Sequence, residues 1–182
     1  MFYAIHAFFD ERTESAIKSV WKELADCGVA PYLYQSANRP HFTLAIYDKL
    51  DLQAGEPRLH ELAAASAALP LAFPSLGLFT APRAAVFLAP VVDMALLALH
   101  AHVHQVFQDI TSGADEYYLP GKWVPHCGLA LELDKATAVK VVEIAINMPL
   151  PLVGQVTELG VIEARPVRHL FGFPLANDRI NP

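Results

Sequence analysis

One short sequence occurs twice in the chain of 182 residues, and both copies have the pattern of a β-strand. The first copy is PHFTLAI at 40–46, and the second is PHCGLAL at 125–131. Side chains on a strand alternate between two faces, so each copy is expected to present its histidine on one face and apolar side chains on the other. The histidine faces are His41, Thr43 and Ala45 in the first copy and His126, Gly128 and Ala130 in the second; the apolar faces are Phe42, Leu44 and Ile46, and Cys127, Leu129 and Leu131.

The repetition is more informative than either copy alone. A single histidine on a strand is more often a half-buried side chain that hydrogen-bonds a backbone carbonyl. Here the two histidines occur in the same frame, each directly after a proline and three residues before a Leu-Ala pair. Proline suits the first residue of a strand, where no donor to the ladder is needed. The pattern therefore predicts a duplicated architecture that holds two histidines in matching places.

The two motifs resemble those of the 2H phosphoesterases, a family that includes bacterial 2′-5′ RNA ligase-like proteins and RNA cyclic phosphodiesterases. Its members carry two His-x-(Thr/Ser)-hydrophobic motifs, one in each lobe, which face each other across a cleft. The first motif, HFTL at 41–44, matches in full, whereas the second, HCGL at 126–129, has Gly128 in place of the hydroxyl residue. The segment at 118–125 (YLPGKWVP) is similar to the approach to the second motif in some members.

The order of elements along the chain favours an α+β fold, with helices outside two small sheets. No proline- or serine-rich linker divides the chain, so residues 1–182 are expected to form a single bilobal domain. The resemblance implies the same layout: two mostly antiparallel sheets around a central cleft. The expected strands are 2–9, 32–34, 41–47, 71–80, 85–92, the second motif strand, 152–164 and 169–175. A turn at Pro82 joins 71–80 to 85–92, and a break at Gly154 is expected in 152–164. The expected helices are 11–28 (capped by Asp10), 59–69, 93–110 and a last helix that is capped by Asp134 and has an apolar stripe of Val139, Val142 and Ile146.

Composition narrows the classes of partner. The chain is 54% hydrophobic and 18% charged, as in folded globular proteins, and its formal net charge is −6. An acidic protein lacks the basic face that long duplex nucleic acid requires, although a small phosphate ligand or an RNA end needs only a few local cations. The N-terminus lacks a basic signal-peptide region, and the most apolar run, 84–99, is too short to cross a membrane. We expect a cytoplasmic monomer without membrane contact.

Two histidines that face a phosphodiester form a complete acid–base pair. Histidine titrates near neutral pH, so one ring can take a proton from attacking water while the other gives a proton to the departing oxygen. The Thr43 hydroxyl, on the same strand face as His41, can donate to a non-bridging oxygen where charge develops. This chemistry needs no metal or cofactor, and we expect neither. The resemblance implies a phosphodiesterase acting on 2′,3′-cyclic phosphates or 2′-5′ linked RNA, with His41, His126 and Thr43 as catalytic residues.

Further residues near the two motifs are secondary candidates for substrate binding. Lys122 and Arg39 could give the phosphate a cation, although solvated surface charges are equally compatible. Tyr118 and Trp123 could stack on a base, and Gly128 lies beside the second histidine. A second group, His100 and His104, shares one helix face. It lacks the glutamate of a zinc-protease motif, so we expect helix histidines without metal.

The glycine at position 128 leaves the function open between three classes. The preferred hypothesis is an enzyme; the alternative is a nucleotide- or RNA-end-binding protein of the same fold with weak or no turnover. A third class is a structural domain with vestigial histidines. Turnover of 2′,3′-cyclic nucleotides, measured beside the binding of the corresponding monophosphates, separates the three. The sequence does not identify the natural substrate, the choice between hydrolysis and ligation, or which histidine is the acid.

Overall fold

The computed structural model describes residues 2–80, 83–164 and 166–176. These residues form nine β-strands, five α-helices and one 3₁₀ turn at Glu116–Tyr118. The strands are β1 (Phe2–Phe9), β2 (His41–Leu50), β3 (Leu69–Phe73), β4 (Ser75–Phe79), β5 (Ala84–Ala89), β6 (Thr111–Ala114), β7 (Cys127–Leu133), β8 (Leu152–Ala164) and β9 (Arg168–Pro174). The helices are α1 (Glu11–Asp26), α2 (Tyr32–Gln35), α3 (Leu52–Ala65), α4 (Met94–Phe107) and α5 (Lys135–Ala145).

The strands form two antiparallel sheets, which confirms the predicted α+β class. In the six-stranded sheet, the long strand β8 pairs with β1 along one edge. Along its other edge, the first part of β8 pairs with β3 and the second part pairs with β9. The sheet continues from β1 to β2, the first motif strand, and then to the short β6. The second sheet has the order β4-β5-β7, and β7 is the second motif strand.

Each sheet has its own helices, and α1 contacts both. Helices α3 and α4 pack against the six-stranded sheet, whereas α5 packs against the three-stranded sheet. Helix α1 contacts β8 of the first sheet and β7 of the second. Its buried side chains Ile17, Val20, Trp21 and Leu24 are the predicted apolar stripe, and buried residues of both sheets belong to one hydrophobic cluster. Helix α1 therefore helps to fix the two motif strands relative to each other.

Several predicted elements differ from the structure for local reasons. Residues 32–34 form the helical turn α2 instead of a strand. The helix predicted at 59–69 begins at Leu52, because the Asp51 carboxylate accepts hydrogen bonds from the backbone N–H groups of Gln53 and Ala54. The strand predicted at 71–80 is divided at Pro74 into β3 and β4, which belong to different sheets. Strands β4 and β5 pair as predicted, while Pro82 lies outside the described residues.

Three further differences concern a loop, a helix face and a strand break. The segment at 111–114, which is not among the expected strands, pairs with the end of β2 as β6. Helix α5 is capped by Asp134 as predicted, but its buried residues are Ala138, Val141 and Ala145, and Val139 and Ile146 are exposed. The small alanines allow the helix to approach its sheet closely. Strand β8 is continuous through Gly154, where a break was expected.

None of the helices in the described ranges combines the length and apolar character needed to cross a bilayer.

Candidate active site

The two motif strands meet at a small cavity that contains both histidines. Strands β2 and β7 are in contact, although they belong to different sheets. The central cavity has a volume of about 120 Å³. A cavity of this volume is large enough for several waters, and a group the size of a phosphate fits within it. It is lined by Trp21, Leu33, His41, Thr43, Tyr118, His126, Cys127, Gly128 and Leu131.

Both histidines have the same hydrogen bond, made to the carbonyl oxygen two residues earlier. The Nδ1 atom of His41 lies 2.5 Å from the Arg39 carbonyl oxygen, and the Nδ1 atom of His126 lies 2.7 Å from the Val124 carbonyl oxygen. A carbonyl oxygen can only accept, so Nδ1 is the protonated nitrogen of each neutral ring. The lone pair is therefore on Nε2. Each ring can take a proton at Nε2 when neutral and donate one from it when charged.

The strands also share an irregularity three residues after each histidine. On β2, Thr43 pairs with His6 and Ala45 with Ile5, so Leu44 has no ladder partner on β1. Gly128 and Ala130 of β7 pair with consecutive residues of β5, so Leu129 is likewise extra. Such a β-bulge changes the alternation of side chains. As a result Ala45 and Ala130 are buried, which corrects the faces predicted from strict alternation.

The residues that follow the bulges complete the cleft. Ile46 and Leu131, expected on the apolar core face, instead line cavities next to the histidines. Leu131 is 38% exposed. Each motif strand therefore presents to the cleft a histidine, the residue two places later and, beyond the bulge, one large apolar side chain.

The two tryptophans of the chain cross-link the motif strands in matching ways. The indole N–H of Trp21, on α1, donates to the carbonyl oxygen of Gly128 at 3.0 Å. The indole N–H of Trp123, in the segment before the second motif, donates to the carbonyl oxygen of Thr43 at 2.9 Å. Each acceptor is the carbonyl oxygen of the residue two places after a motif histidine. Each motif strand is thus held by an indole from outside its own strand.

The burial of the site lowers the pKa of both histidines. Burial lowers the pKa of His41 to about 4; the Arg39 carbonyl opposes this shift, and the nearby His126 adds to it. The pKa of His126 is also lowered, mainly by burial and against the effect of the Val124 carbonyl. Aromatic rings form the apolar walls: Phe8 packs against His41, and Phe79 and Phe87 pack against His126. The neutral imidazole is therefore favoured at both positions in the free protein.

A larger cavity lies on each side of the central one. The His41-side cavity, about 730 Å³, is mostly apolar and includes Phe2, Ile46, Ile162 and Val167. Its polar members are His6, Tyr32, Asn38, His41, Thr43 and Glu132. The His126-side cavity, about 550 Å³, is lined by Asp115, Tyr117, Tyr118, Lys122, Trp123 and Glu132, among others. Both volumes are in the range of small-ligand pockets. The arrangement leaves room for further ligand groups next to the central cavity.

Thr43 and Gly128 lie at the central cavity in equivalent positions. Thr43 supplies a hydroxyl, whereas Gly128 supplies only backbone. A Cβ at position 128 would meet Leu131 Cδ2 at 3.3 Å and Leu33 Cδ1 at 3.9 Å. The first contact is tight but involves the far end of a flexible side chain. Tyr118 also lines the cavity, and burial raises the pKa of its hydroxyl to about 12.

The cationic candidates are engaged in ion pairs. The Arg39 guanidinium bonds Glu14 at 2.7 Å and Glu158 at 3.0 Å and lies over the Phe8 ring. Its carbonyl oxygen, rather than its charge, contacts His41. Lys122 pairs with Glu116 at 2.7 Å and lines the His126-side cavity. No lysine or arginine of the described chain lines the central cavity.

Trp123 and the helix histidines form a support for the first motif strand. Trp123 stacks on His100, with ring centroids 4.1 Å apart. His100 Nε2 lies 2.8 Å from the Tyr118 carbonyl oxygen, and His104 Nε2 lies 3.2 Å from the carbonyl oxygen of Leu44, the bulge residue. One face of the Trp123 ring is therefore covered by His100. Within the described ranges, no three side chains of His, Cys, Asp or Glu are grouped as metal ligands.

Two residues of the site were not predicted from the sequence. Trp21 fits the apolar stripe of α1, and nothing in the helical period marks its indole N–H as a donor to β7. The sequence leaves the place of His6 open between the cleft and the core. Its ring stacks on His41 with centroids 3.7 Å apart, a contact that depends on how β1 pairs with β2. A histidine among the mostly apolar residues of the first strand is the one signal in the sequence that points to this role.

Comparison with known proteins identifies the architecture. The sequence profile of the 2′-5′ RNA ligase superfamily matches residues 10–167. Among solved structures, TT0787 of Thermus thermophilus aligns with a TM-score of 0.61 and 18% identity, covering 98% of this chain and 100% of that chain. The apo form of E. coli LigT aligns with a TM-score of 0.63 and 16% identity, covering 96% and 97% of the two chains. No curated protein matches significantly. At these identities the structures show a shared fold.

Proposed function

Because the chain belongs to the 2′-5′ RNA ligase superfamily, we propose that it is a metal-independent phosphodiesterase acting on 2′,3′-cyclic phosphates or 2′-5′ linked RNA. One observation carries the proposal. Two histidines whose Nδ1 atoms are both bonded to backbone carbonyls line one phosphate-sized cavity. Both rings therefore have Nε2 as the nitrogen for proton transfer, and both line the cavity in which we place the phosphate.

The reaction follows from one neutral ring and one protonated ring. The neutral ring takes a proton from water, and the water oxygen forms a bond to phosphorus. As this bond forms, a P–O ester bond breaks, and the protonated ring gives its proton to the departing ribose oxygen. The hydroxyl of Thr43 donates to a non-bridging oxygen as charge develops. The product is a phosphomonoester, and proton exchange with solvent restores the two rings.

The charge of the site supports a diester as substrate. The central cavity offers imidazoles, one hydroxyl and backbone groups, with no lysine or arginine of the described chain. Burying a charge requires a compensating partner. A cyclic phosphate or linear diester carries one negative charge, which one imidazolium can balance. The product monoester carries more charge and is held less well, which favours its release.

The ligands of a related fold are consistent with this substrate class. E. coli LigT has been solved with 3′-AMP and with phosphate. For this chain we propose that the phosphate occupies the central cavity and that nucleoside groups extend into the flanking cavities. Tyr118, Trp123 and Lys122 are then placed to contact the part of the substrate on the His126 side.

Gly128 supports one alternative, a binding protein with weak turnover. The second motif lacks the hydroxyl that Thr43 provides in the first, so one donor to developing charge is missing. Donors of this kind act on the transition state more than on the bound substrate. A protein without one can keep its affinity for nucleotides and lose rate.

The test measures hydrolysis of 2′,3′-cyclic nucleotides by the parent protein and by His41→Ala and His126→Ala. Each variant is expected to lose roughly 10²–10⁴-fold in kcat, the usual effect of removing a general acid or base. His102→Ala, which removes an exposed histidine of α4, is the matched control and keeps full activity. Activity is expected to survive exhaustive chelation. Full activity in either site variant contradicts the mechanism, and nucleotide binding by an inactive parent selects the alternative.

The same assay gives the pH dependence. Because the pKa of His41 is about 4 and that of His126 is lowered, the bell-shaped profile of kcat/KM is expected to have its maximum below pH 6.5. Activity falls at higher pH as the acid loses its proton, and at lower pH as the base gains one. A bound phosphate anion favours imidazolium, so the profile of kcat lies at higher pH. A flat profile, with chemistry limiting the rate, contradicts the acid–base pair.

A further inference from the structure

His6 is a buried histidine next to the site that the acid–base pair does not use. It is 4% exposed and lines the His41-side cavity. Its ring is nearly parallel to that of His41, with centroids 3.7 Å apart and planes 9° apart. Phe8 packs edge-on against both rings, at 5.7 Å from His6 and 6.2 Å from His41. Three rings on two neighbouring strands thus form one packed group.

The ladder of the first sheet fixes this arrangement. Strand β1 pairs with β2 so that His6 lies opposite Thr43 and Phe8 lies opposite His41. The bulge at Leu44 comes directly after the pair of His6 and Thr43. Without this bulge the pairing of the two strands would be shifted by one residue on one side of it. The stack therefore covers one face of the His41 imidazole with an aromatic surface instead of water.

A stacked pair of imidazoles resists protonation. A charge on one ring disfavours a charge on the other, and exclusion of water disfavours both. Burial, His41 and His169 together lower the pKa of His6 well below 6.5. Among the titratable groups around His41, His126 on β7 and His169 on β9 lower its pKa and Glu14 on α1 raises it. Glu132 on β7 lines the same cavity as His41 and His6. Glu14 is ion-paired with Arg39 and Lys18, and this reduces its opposing effect.

We propose that His6 is a positioning residue for His41: its stacked ring keeps the His41 imidazole dry, neutral and fixed with Nε2 at the cleft. His41 is thereby suited to take the proton from water, and His126 is left to donate one to the departing oxygen. The part of this inference that concerns the reaction rests on the proposed function. The protonation of His41 itself can be measured without any substrate.

The experiment compares His6→Ala with His6→Phe. Phenylalanine keeps a flat ring against His41, whereas alanine opens that face to water. NMR titration of the His41 ring is expected to show an acidic pKa in the parent and in His6→Phe, and a rise towards 6.5 in His6→Ala. The acid limb of kcat/KM moves to higher pH in His6→Ala by the same amount. Its kcat falls by up to about 10²-fold, because the His41 ring is no longer held in position. His102→Ala is the control and changes neither measurement.

Each outcome decides the proposal. A parent His41 that titrates near 6.5, or a folded His6→Ala protein in which the His41 titration is unchanged, overturns it. If His6→Ala does not fold, His6→Asn fills the strand position and still leaves the His41 face open, and the same comparison applies. An inactive parent with the expected NMR titrations refutes the proposed function and leaves the positioning of His41 intact.

Discussion

At the scale of single residues, the two halves of the site differ at one pair of positions. Thr43 and Gly128 each lie two residues after a histidine, and both line the central cavity. The carbonyl oxygens of both are bonded by an indole N–H, so their backbones are held alike. The difference is confined to one side chain. It is therefore the simplest place to alter the rate without changing the fold.

We expect Gly128→Ser to raise kcat more than it changes KM. The Cβ of a serine at this position requires only a small movement of Leu131, and its neighbours Leu131 and Leu33 both line the central cavity. Removal of an oxyanion donor in other enzymes costs about 10²–10³-fold, so this range is the upper limit of the gain. Steady-state kinetics on a 2′,3′-cyclic nucleotide measure the change.

Gly128→Ala is the matched control for that substitution, since it adds the Cβ without the hydroxyl. If serine and alanine lower kcat equally, the glycine makes room for substrate and the missing donor is unimportant. A gain with serine alone identifies the hydroxyl as the cause.

At the scale of elements, the motif strands depend on bonds from other parts of the chain. Each strand has a bulge at the third residue after its histidine, and a bulge leaves ladder groups without partners. Trp21, Trp123 and His104 donate to carbonyl oxygens at or next to these bulges. Helix α1, helix α4 and the segment before β7 therefore act as supports that fix the relative position of His41 and His126.

We expect Trp21→Phe and Trp123→Phe each to lower kcat by about 10- to 100-fold with little change in KM. Phenylalanine keeps most of the apolar contact and removes the N–H, so one carbonyl of a motif strand loses its partner. A small misplacement of catalytic groups can cost about 10²-fold in rate. The unpaired acceptor should also lower the free energy of unfolding by about 1–3 kcal/mol.

A control separates misplacement from general loss of stability. Leu59→Ala removes a buried side chain from α3, which lines none of the three cavities, and is expected to cost about 2–5 kcal/mol of stability. If the folded Leu59→Ala protein loses as much activity as the tryptophan variants, the indole bonds have no specific part in the site.

At the scale of the whole molecule, stability is linked to the protonation of buried histidines. Burial lowers the pKa of His6, His41 and His100, and the pKa values of His104 and His126 are lowered as well. The unfolded chain, with ordinary pKa values near 6.5, binds protons that the folded chain does not. The stability is therefore fully present above about pH 6.5 and is lost as the pH falls towards 4.

We expect urea unfolding to show a lower free energy of unfolding at about pH 5 than at about pH 7. Each proton taken up on unfolding contributes about 1.4 kcal/mol per pH unit. Most carboxylates titrate below this window, so the histidines dominate the change. A free energy of unfolding that stays constant across the window shows that the histidines are protonated equally in the folded and unfolded states.

The sequence alone determined the class of fold and the two histidines at the centre of the candidate site. Alternation along two short repeats identified the strands, the apolar faces up to Leu44 and Leu129, and the two histidines that meet in one cavity. Such patterns are local, because an apolar face can be recognised from neighbouring residues of one strand. The caps at Asp10 and Asp134 were predicted on the same local basis.

Only the tertiary structure decided the rest. The bulges that bury Ala45 and Ala130 arise from pairing with β1 and β5, which periodicity along one strand does not encode. The indole bonds, the His6 stack and the ion pairs of Arg39 join residues far apart in the chain. Such contacts depend on how two sheets and a shared helix are placed relative to one another, and that placement is a property of the packed molecule as a whole.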